Sequence, residues 1–322
     1  MPLTEGAIAG CVVSYPFMSV PSRDTSSRGC CGYTVDSDLP LGFLRDCRAN
    51  DLKVALWDEQ VDPPPTDPLL EWKRDGGFFA RIYETPGGFQ LWIESLGWFD
   101  VRPGEAIIRV PDSPHDVLRE TRLWGLPLAL CALHRGDLAL HSAAAEVNGR
   151  CVLLLAPSHH GKTTLAAAFF RAGHRLLSED LTYCRLGPEP VAFPGPALLR
   201  IRKDIFEALD FPGTETVWTD EQRMYLALDE DRRGDGNPVP LAAVVFLRPS
   251  DQGVRLERVS SPEALRDLWP MAFNLPTDQG RKRCFEGVAA LTESVPVFNL
   301  YRPMTLEALD EVIEKVERFS IA

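Results

Sequence analysis

Cys151-Val152-Leu153-Leu154-Leu155-Ala156-Pro157-Ser158-His159-His160-Gly161-Lys162-Thr163-Thr164-Leu165 is the stretch on which the fold turns. Its first five residues are an unbroken apolar run, the pattern of a buried strand. Its last residue opens Leu165-Ala166-Ala167-Ala168-Phe169, a strong helix former. Between them lies a variant of the phosphate-loop pattern G-x-x-x-x-G-K-[ST]. Ala156 stands where the first glycine is usual, while Gly161, Lys162 and Thr163 fit. The alternative, a chance glycine–lysine turn, is weakened by the strand before the loop and the helix after it.

The chemistry explains the pattern. Backbone N–H groups along Ala156, Pro157, Ser158, His159, His160, Gly161, Lys162, Thr163 and Thr164 (proline excepted), with the helix N-terminus, gather partial positive charge where nucleotide phosphates sit. Lys162 is expected to reach the β- and γ-phosphates as a point charge, and Thr163 to offer its hydroxyl to Mg²⁺. ATP and Mg²⁺ are therefore the expected cofactors. Ala156 lacks the freedom at positive φ that glycine has. His159 and His160 are bulky for such a loop, and as protonatable donors they would make phosphate affinity pH-dependent near their ordinary pKa of about 6.5.

Working outward, the strands Leu138–Val147 and Arg150–Leu155 are joined by the turn dipeptide Asn148-Gly149. Before them Asp116–Arg135 reads as a helix, broken near Pro127. After the loop come the helix Thr163–Arg171 and a strand, Arg175–Leu177, running into Ser178-Glu179-Asp180. Strand, loop, helix and strand in succession are the core of an α/β nucleotide-binding domain. Strands at Ala242–Leu247 and Val254–Val259 and a helical tail, Leu306–Phe319, complete it. The first hundred residues are β-rich, with strand-like runs at Gly32–Val35, Leu52–Trp57, Phe78–Tyr83, Phe89–Glu94 and Ala106–Val110. Val61–Pro68, with three consecutive prolines, is a loop or stiff connector. The expected organisation is a β-rich domain over residues 1–112 and a nucleotide-binding catalytic domain over 113–322.

The chain has 322 residues, 45% hydrophobic and 25% charged, with a formal net charge of -12. That acidity argues against general binding to nucleic acid or an anionic membrane. No apolar run is long enough for a membrane helix. Met1–Val20 carries Glu5 in place of a basic start and is interrupted by Tyr15, Pro16 and Ser19, so a signal peptide is not expected and the chain reads as cytoplasmic. The eight cysteines include no C-x-x-C pair, and the adjacent Cys30 and Cys31 are poorly spaced for zinc. Small thiols in a reducing compartment are the expectation.

Leu140-His141-Ser142-Ala143-Ala144, Asn148-Gly149-Arg150-Cys151-Val152-Leu153-Leu154, the loop itself and Arg171-Ala172-Gly173-His174-Arg175-Leu176-Leu177-Ser178-Glu179-Asp180 together resemble HPr kinase/phosphorylase and its relatives. A weaker similarity continues to Val295-Pro296-Val297-Phe298-Asn299-Leu300. Ser37-Asp38-Leu39-Pro40-Leu41 resembles the front segment of HPr-kinase-like proteins of peptide natural-product clusters, including lasso peptide kinases. The resemblance implies a phosphoenolpyruvate-carboxykinase-like α/β fold and phosphorylation of a Ser or Thr hydroxyl on a peptide or small protein. It implies Glu179 as catalytic base, Asp180 near the metal and His141 beside the catalytic carboxylate. The family pair is Asp-Asp; here Glu179 keeps the charge and adds a methylene.

Read from the residues alone, two adjacent carboxylates at a strand end near a phosphate loop can divide into base and metal ligand. The alternative is a solvated acidic turn, and for His141 a satisfied core histidine. Arg200 and Arg202 suit contact with phosphate, or a solvated edge strand. Arg281, opening Arg281-Lys282-Arg283, suits a clamp on phosphate or on an acidic acceptor, or a solvated helix face. Arg232–Gly236 reads as a mobile loop, and Trp92, Trp98, Phe99 and Trp124 as packing. Three functions compete: a kinase for a peptide or small protein, a kinase for a small metabolite hydroxyl, and a nucleotide-sensing module. Acceptor recognition is expected in the front domain; the sequence leaves oligomeric state open.

Overall fold

Successive side chains of the strand Arg150–Leu155 enter two different cores. Val152 and Leu154 belong to one, Cys151, Leu153 and Leu155 to the other. Its parallel partner behaves likewise, with Ala243, Val245 and Leu247 in the first core and Val244 and Phe246 in the second. A strand covered on both faces has no polar side, which is why these segments read as continuous apolar runs.

The computed structural model describes residues 27–47, 50–57, 63–74 and 77–320. The tract Met1–Val20, Cys11 and Val61 lie outside the described residues. The first sheet comprises β1 (Arg28–Cys30), β2 (Tyr33–Ser37), β3 (Arg45–Asp46), β4 (Asn50–Trp57), β5 (Leu70–Arg74), β6 (Gly77–Thr85), β7 (Gly88–Ile93), β8 (Gly97–Arg102) and β9 (Ile107–Pro111). Their order is β3-β1-β2-β4-β9-β8-β7-β6-β5. Two helices follow, α1 (Asp116–Leu123) and α2 (Leu126–Arg135). The break falls at Trp124-Gly125, just before Pro127. Pro127 sits in the first turn of α2, where its missing N–H has no intrahelical partner to lose.

The second sheet is built from β10 (Leu138–Leu140), β11 (Ser142–Val147), β12 (Arg150–Leu155), β13 (Arg175–Ser178), β14 (Thr182–Arg185) and β15 (Val191–Phe193), with α3 (Lys162–Arg171) between β12 and β13. A small antiparallel sheet of β16 (Leu198–Arg202), β17 (Thr214–Thr219) and β18 (Arg223–Leu228) intervenes, carrying α4 (Lys203–Ala208) and followed by α5 (Glu230–Arg233). The chain then returns through β19 (Val239–Pro249), β20 (Arg255–Arg258), α6 (Ser261–Leu268), α7 (Asp278–Ser294), β21 (Val297–Arg302) and α8 (Leu309–Ser320). The order is β10-β14-β15-β19-β12-β11-β13, with β21 also on β19 and β20 outside it. α3 and α8 pack on one face of this sheet and α6 and α7 on the other. The β11–β12 hairpin closes with Asn148 at φ 53 and Gly149 at φ 75, the two left-handed residues a tight hairpin turn demands.

The strand expected over Leu138–Val147 is two strands. His141 interrupts it, and its N–H goes to the Met271 carbonyl instead of to a neighbouring strand. Arg232–Gly236, expected to be mobile, is tied down: the Arg232 guanidinium donates to the Phe170 carbonyl and lies 4.2 Å from that ring, while Arg233 donates to Leu44 O.

The two large sheets meet along a shared core. Cys30, Cys31 and Tyr33 pack with Leu128–Ala132 of α2 and with Tyr183 and Phe193 of the second sheet. Arg45, fully buried, donates to the carbonyls of Gly195 and Leu176 across that seam. Arg135 donates to Cys31 O and Gly32 O with its guanidinium 3.9 Å over the Tyr33 ring. Every described cysteine is buried and unpaired. Among the described residues no helix is long and apolar enough to cross a membrane.

Candidate active site

β12 ends at Leu155 and α3 begins at Lys162, so the six residues between them must reverse the chain at the end of an interior strand. The left-handed conformations this needs fall on His159 (φ 65) and Gly161 (φ 78). Ala156 is not among the left-handed residues, so the absent first glycine imposes no strain there. The α3 N-terminus has no side-chain cap, leaving the N–H groups of its first turn without intrahelical acceptors. Lys162 is buried and folds back to donate to Ala156 O at 2.7 Å. His160 Nδ1 lies 2.9 Å from Ser158 O.

Arg302, at the end of β21, sits against this loop. Its side chain is buried, Nη2 donates to His160 O at 3.3 Å, and Nε has no partner. A Cβ added to Gly161 would stand 2.3 Å from Nη2. Burial alone lowers the Arg302 pKa, with no carboxylate opposing it. The sequence offered no signal for this residue, because it lies far from the loop in the chain and follows no motif.

The acidic pair occupies the turn between β13 and β14. Beneath it Ser142, Thr182 and Ser178 form a buried hydroxyl chain: Ser142 Oγ donates to Thr182 Oγ1 at 2.8 Å, and Thr182 Oγ1 meets Ser178 Oγ at 2.5 Å. Glu179 is buried, whereas the Asp180 side chain is 54% exposed. Arg200 forks across both, its Nε on Glu179 Oε1 and its Nη2 on Asp180 Oδ2 at 2.8 Å. Glu179 Oε2 is buried and has no hydrogen-bond partner. His141 Nε2 lies 3.5 Å from Asp180 Oδ1.

These neighbours split the two carboxyls. Burial, opposed by Arg200 and aided by the Asp180 charge, lifts Glu179 above the ordinary carboxylate range. For Asp180 burial pushes upward too, but Arg200, His141 and Lys162 outweigh it and the group is held below its ordinary value. Lys162 is lowered by burial, with Asp180 and then Glu179 acting against the shift. His141 is lowered by burial, then by Lys162, with Asp180 opposing. Loop lysine, histidine and acidic pair thus share one electrostatic environment.

Of the expected site residues, Lys162, Glu179, Asp180 and His141 are brought together, with Thr163 in the first turn of α3. Arg200 joins them as the partner of the carboxylates, so its guanidinium is not open to phosphate. Arg202 is not brought in: it pairs with Asp204 at 2.7 Å on the exposed end of β16. Arg281 pairs with Asp278 at 2.9 Å on the first turn of α7 and does not line the cavity beside the site.

That cavity, about 630 Å³, lies between the acidic pair and the first sheet. Glu179, Asp180, His141 and Arg200 form one wall, and Trp72, Phe79, Arg122, Trp124 and Phe273 face them. Trp124, expected only as packing, therefore also presents a surface to the site, as does Trp72, which the sequence did not single out. None of the residues Ala156–Thr164 lines it.

No family model matches the chain, and no curated protein matches it in sequence. Among solved structures, the Hpr(Ser) kinase/phosphatase from Coxiella burnetii is similar at 11% identity with a TM-score of 0.32, over 57% of this chain and 97% of that one. A likeness at that level carries no functional argument.

Proposed function

We propose that this chain is an ATP-dependent kinase of the HPr-kinase-like type, transferring the γ-phosphoryl group to a Ser or Thr hydroxyl of a peptide or small protein. The observation that carries the reading is Glu179 Oε2: a buried carboxylate oxygen without a partner, on the wall of a cavity and in the electrostatic reach of Lys162. A buried acceptor left unsatisfied is costly unless a ligand completes it.

In this reading the loop amides and Lys162 hold the β- and γ-phosphates, Lys162 exchanging its bond to Ala156 O for phosphate oxygens. Thr163 Oγ1 and the ionised Asp180 are hard oxygen donors suited to Mg²⁺, which takes few protein ligands and keeps much of its water shell. When bound, the ion offsets charge on the phosphate oxygens. Glu179 Oε2 accepts the hydroxyl proton as the acceptor oxygen bonds to the γ-phosphorus and the bridging bond to ADP breaks. Arg200 fixes the carboxylate by its other oxygen, and His141, 3.5 Å from Asp180 Oδ1, positions Asp180. Preorganised positioning and charge of this kind supply most of the rate in phosphoryl transfer.

The size of the cavity, about 630 Å³, also favours a second reading, in which the same site phosphorylates the hydroxyl of a small metabolite. The test is to incubate the protein with γ-labelled ATP, Mg²⁺ and either peptide or small-molecule extract. Label on a peptide or metabolite, lost in Lys162→Ala and falling 10²–10⁴-fold in Glu179→Gln, is the expected result. Tight ATP binding with no label on any acceptor would sink the kinase reading and point to nucleotide sensing.

A further inference from the structure

The charges on the cavity wall are paired with one exception. Glu71 is 3.2 Å from Arg81, and Arg200 holds both Glu179 and Asp180. Arg122, near the end of α1, is partly buried in the wall with its guanidinium 4.9 Å over the Phe79 ring. Among the described residues it has no carboxylate within salt-bridge distance. A half-buried guanidinium resting on an aromatic face is a planar fork with its donors available, the geometry that takes an anionic oxygen pair.

Most of the rest of the wall is apolar, with Thr121, Ser178 and Asn274 as polar exceptions. Trp72 and Phe273 stand 6.2 Å apart, and Phe79 and Trp124 complete a set of four large rings. The volume suits a small molecule or one short stretch of peptide, not a folded surface. The phosphate-loop residues do not themselves line this space, although Lys162 is in electrostatic reach of Glu179, Asp180 and His141 on its wall.

We propose that this cavity binds the phosphoryl acceptor, and that the acceptor bears its hydroxyl on an apolar body that also carries one anionic group, paired with Arg122. Naming the ligand an acceptor rests on the phosphotransfer reading above. The ring-lined wall takes the apolar body, Glu179 Oε2 takes the hydroxyl, and Arg122 fixes which hydroxyl is presented. The anionic group belongs either to a free hydroxy acid or to an acidic residue beside the reactive serine of a peptide.

The experiment reads binding without catalysis, through the tryptophan fluorescence of the full chain. One arm titrates 3-phenyllactate against its methyl ester. The other titrates the end-capped pentapeptide Ala-Phe-Ser-Glu-Ala against the same peptide with Gln for Glu. In at least one arm the charged member is expected to bind at least tenfold more tightly than the neutral one, and the arm that responds assigns the source. Arg122→Gln is expected to erase that difference while leaving ATP affinity unchanged, and Arg122→Lys to restore part of it. Unchanged ATP affinity also shows that the variant is folded. The proposal is overturned if neither charged probe is preferred, if Arg122→Gln alters their affinities less than twofold, or if it weakens ATP instead. Arg122-dependent binding with no transfer from ATP to any acceptor leaves the cavity assignment standing and removes the kinase reading alone.

Discussion

Arg200 decides how the acidic pair behaves. It is the chief influence holding Glu179 down against burial, and it does the same for Asp180. A base must be ionised to work, so activity in the proposed reaction rises with pH through the Glu179 pKa. Replacing Arg200 by Gln removes the downward influence and moves that acid limb to higher pH in a kcat/KM profile; an unmoved limb would separate Glu179 from catalysis. The same change leaves a buried carboxylate unpaired, a loss that costs about 3–5 kcal/mol in comparable cases. The motif made Glu179 and Asp180 legible in the sequence. It did not reveal that Arg200 serves them, because that pairing depends on β16 passing beside the β13–β14 turn.

Glu120 is a second carboxyl whose state matters, this time for stability. Buried on α1, it accepts the N–H groups of Gly42 and Phe43 and the Trp124 indole N–H. Burial nevertheless raises its pKa to about 7. The folded state therefore binds this proton more tightly than the unfolded chain does. The resulting stability is fully present below the unfolded value of about 4.3 and is lost as pH rises towards 7. Glu120→Gln is expected to flatten that decline, so that its deficit against the parent chain shrinks between pH 5 and 8 by roughly 3 kcal/mol at most. Urea midpoints at the two pH values measure it, and a constant deficit would show that Glu120 is ionised throughout.

At the scale of elements, the loop and α3 form one unit with the end of β21. Gly161 adopts φ 78 and has Arg302 pressed against it. Gly161→Ala is expected to cost about 1–2 kcal/mol for the left-handed conformation alone. The Arg302 side chain must also shift away, so ATP affinity should fall at least tenfold by calorimetry. Arg302→Met relieves the contact but removes a cation from beside the loop, so it should lower ATP affinity without the strain. The loop and its flanking strand and helix were legible because a period-free apolar run, a glycine–lysine step and a helix former follow one another. Arg302 was not, since its place depends on β21 pairing in parallel with β19, 142 residues after His160 in the chain. The same limit hid the break at His141: its neighbours are apolar enough for one strand, and only the bond to Met271 O divides it.

At the scale of the molecule, β9 ends at Pro111 and the second sheet begins at Leu138. The hydrophobic core does not divide there, because α2 and Tyr183 pack against the first sheet. Tyr183 Oη donates to the carbonyls of Trp124 and Gly125, joining β14 to the α1–α2 turn. Composition shifts and Pro/Gly clusters show where sheets change; they carry no information about which faces later meet.

The buried thiols make that seam a clock. Cys30, Cys31 and Cys131 lie in the core that the two sheets share and Cys47 packs against Gly236, while Cys151 and Cys184 are inside the second sheet and Cys284 is on α7. A thiol must reach solvent and ionise before a disulfide reagent can consume it, and burial raises the pKa of Cys47, Cys151, Cys184 and Cys284. Labelling of a Cys11→Ser chain therefore times opening events residue by residue. If the sheets part before either unravels, Cys30, Cys31, Cys47 and Cys131 are modified first and the second-sheet thiols later. Uniform kinetics at all seven positions would mean that both sheets come apart in a single cooperative step. The arrival order of seven adducts in a mass spectrum thus reports whether this chain breathes as two bodies or as one.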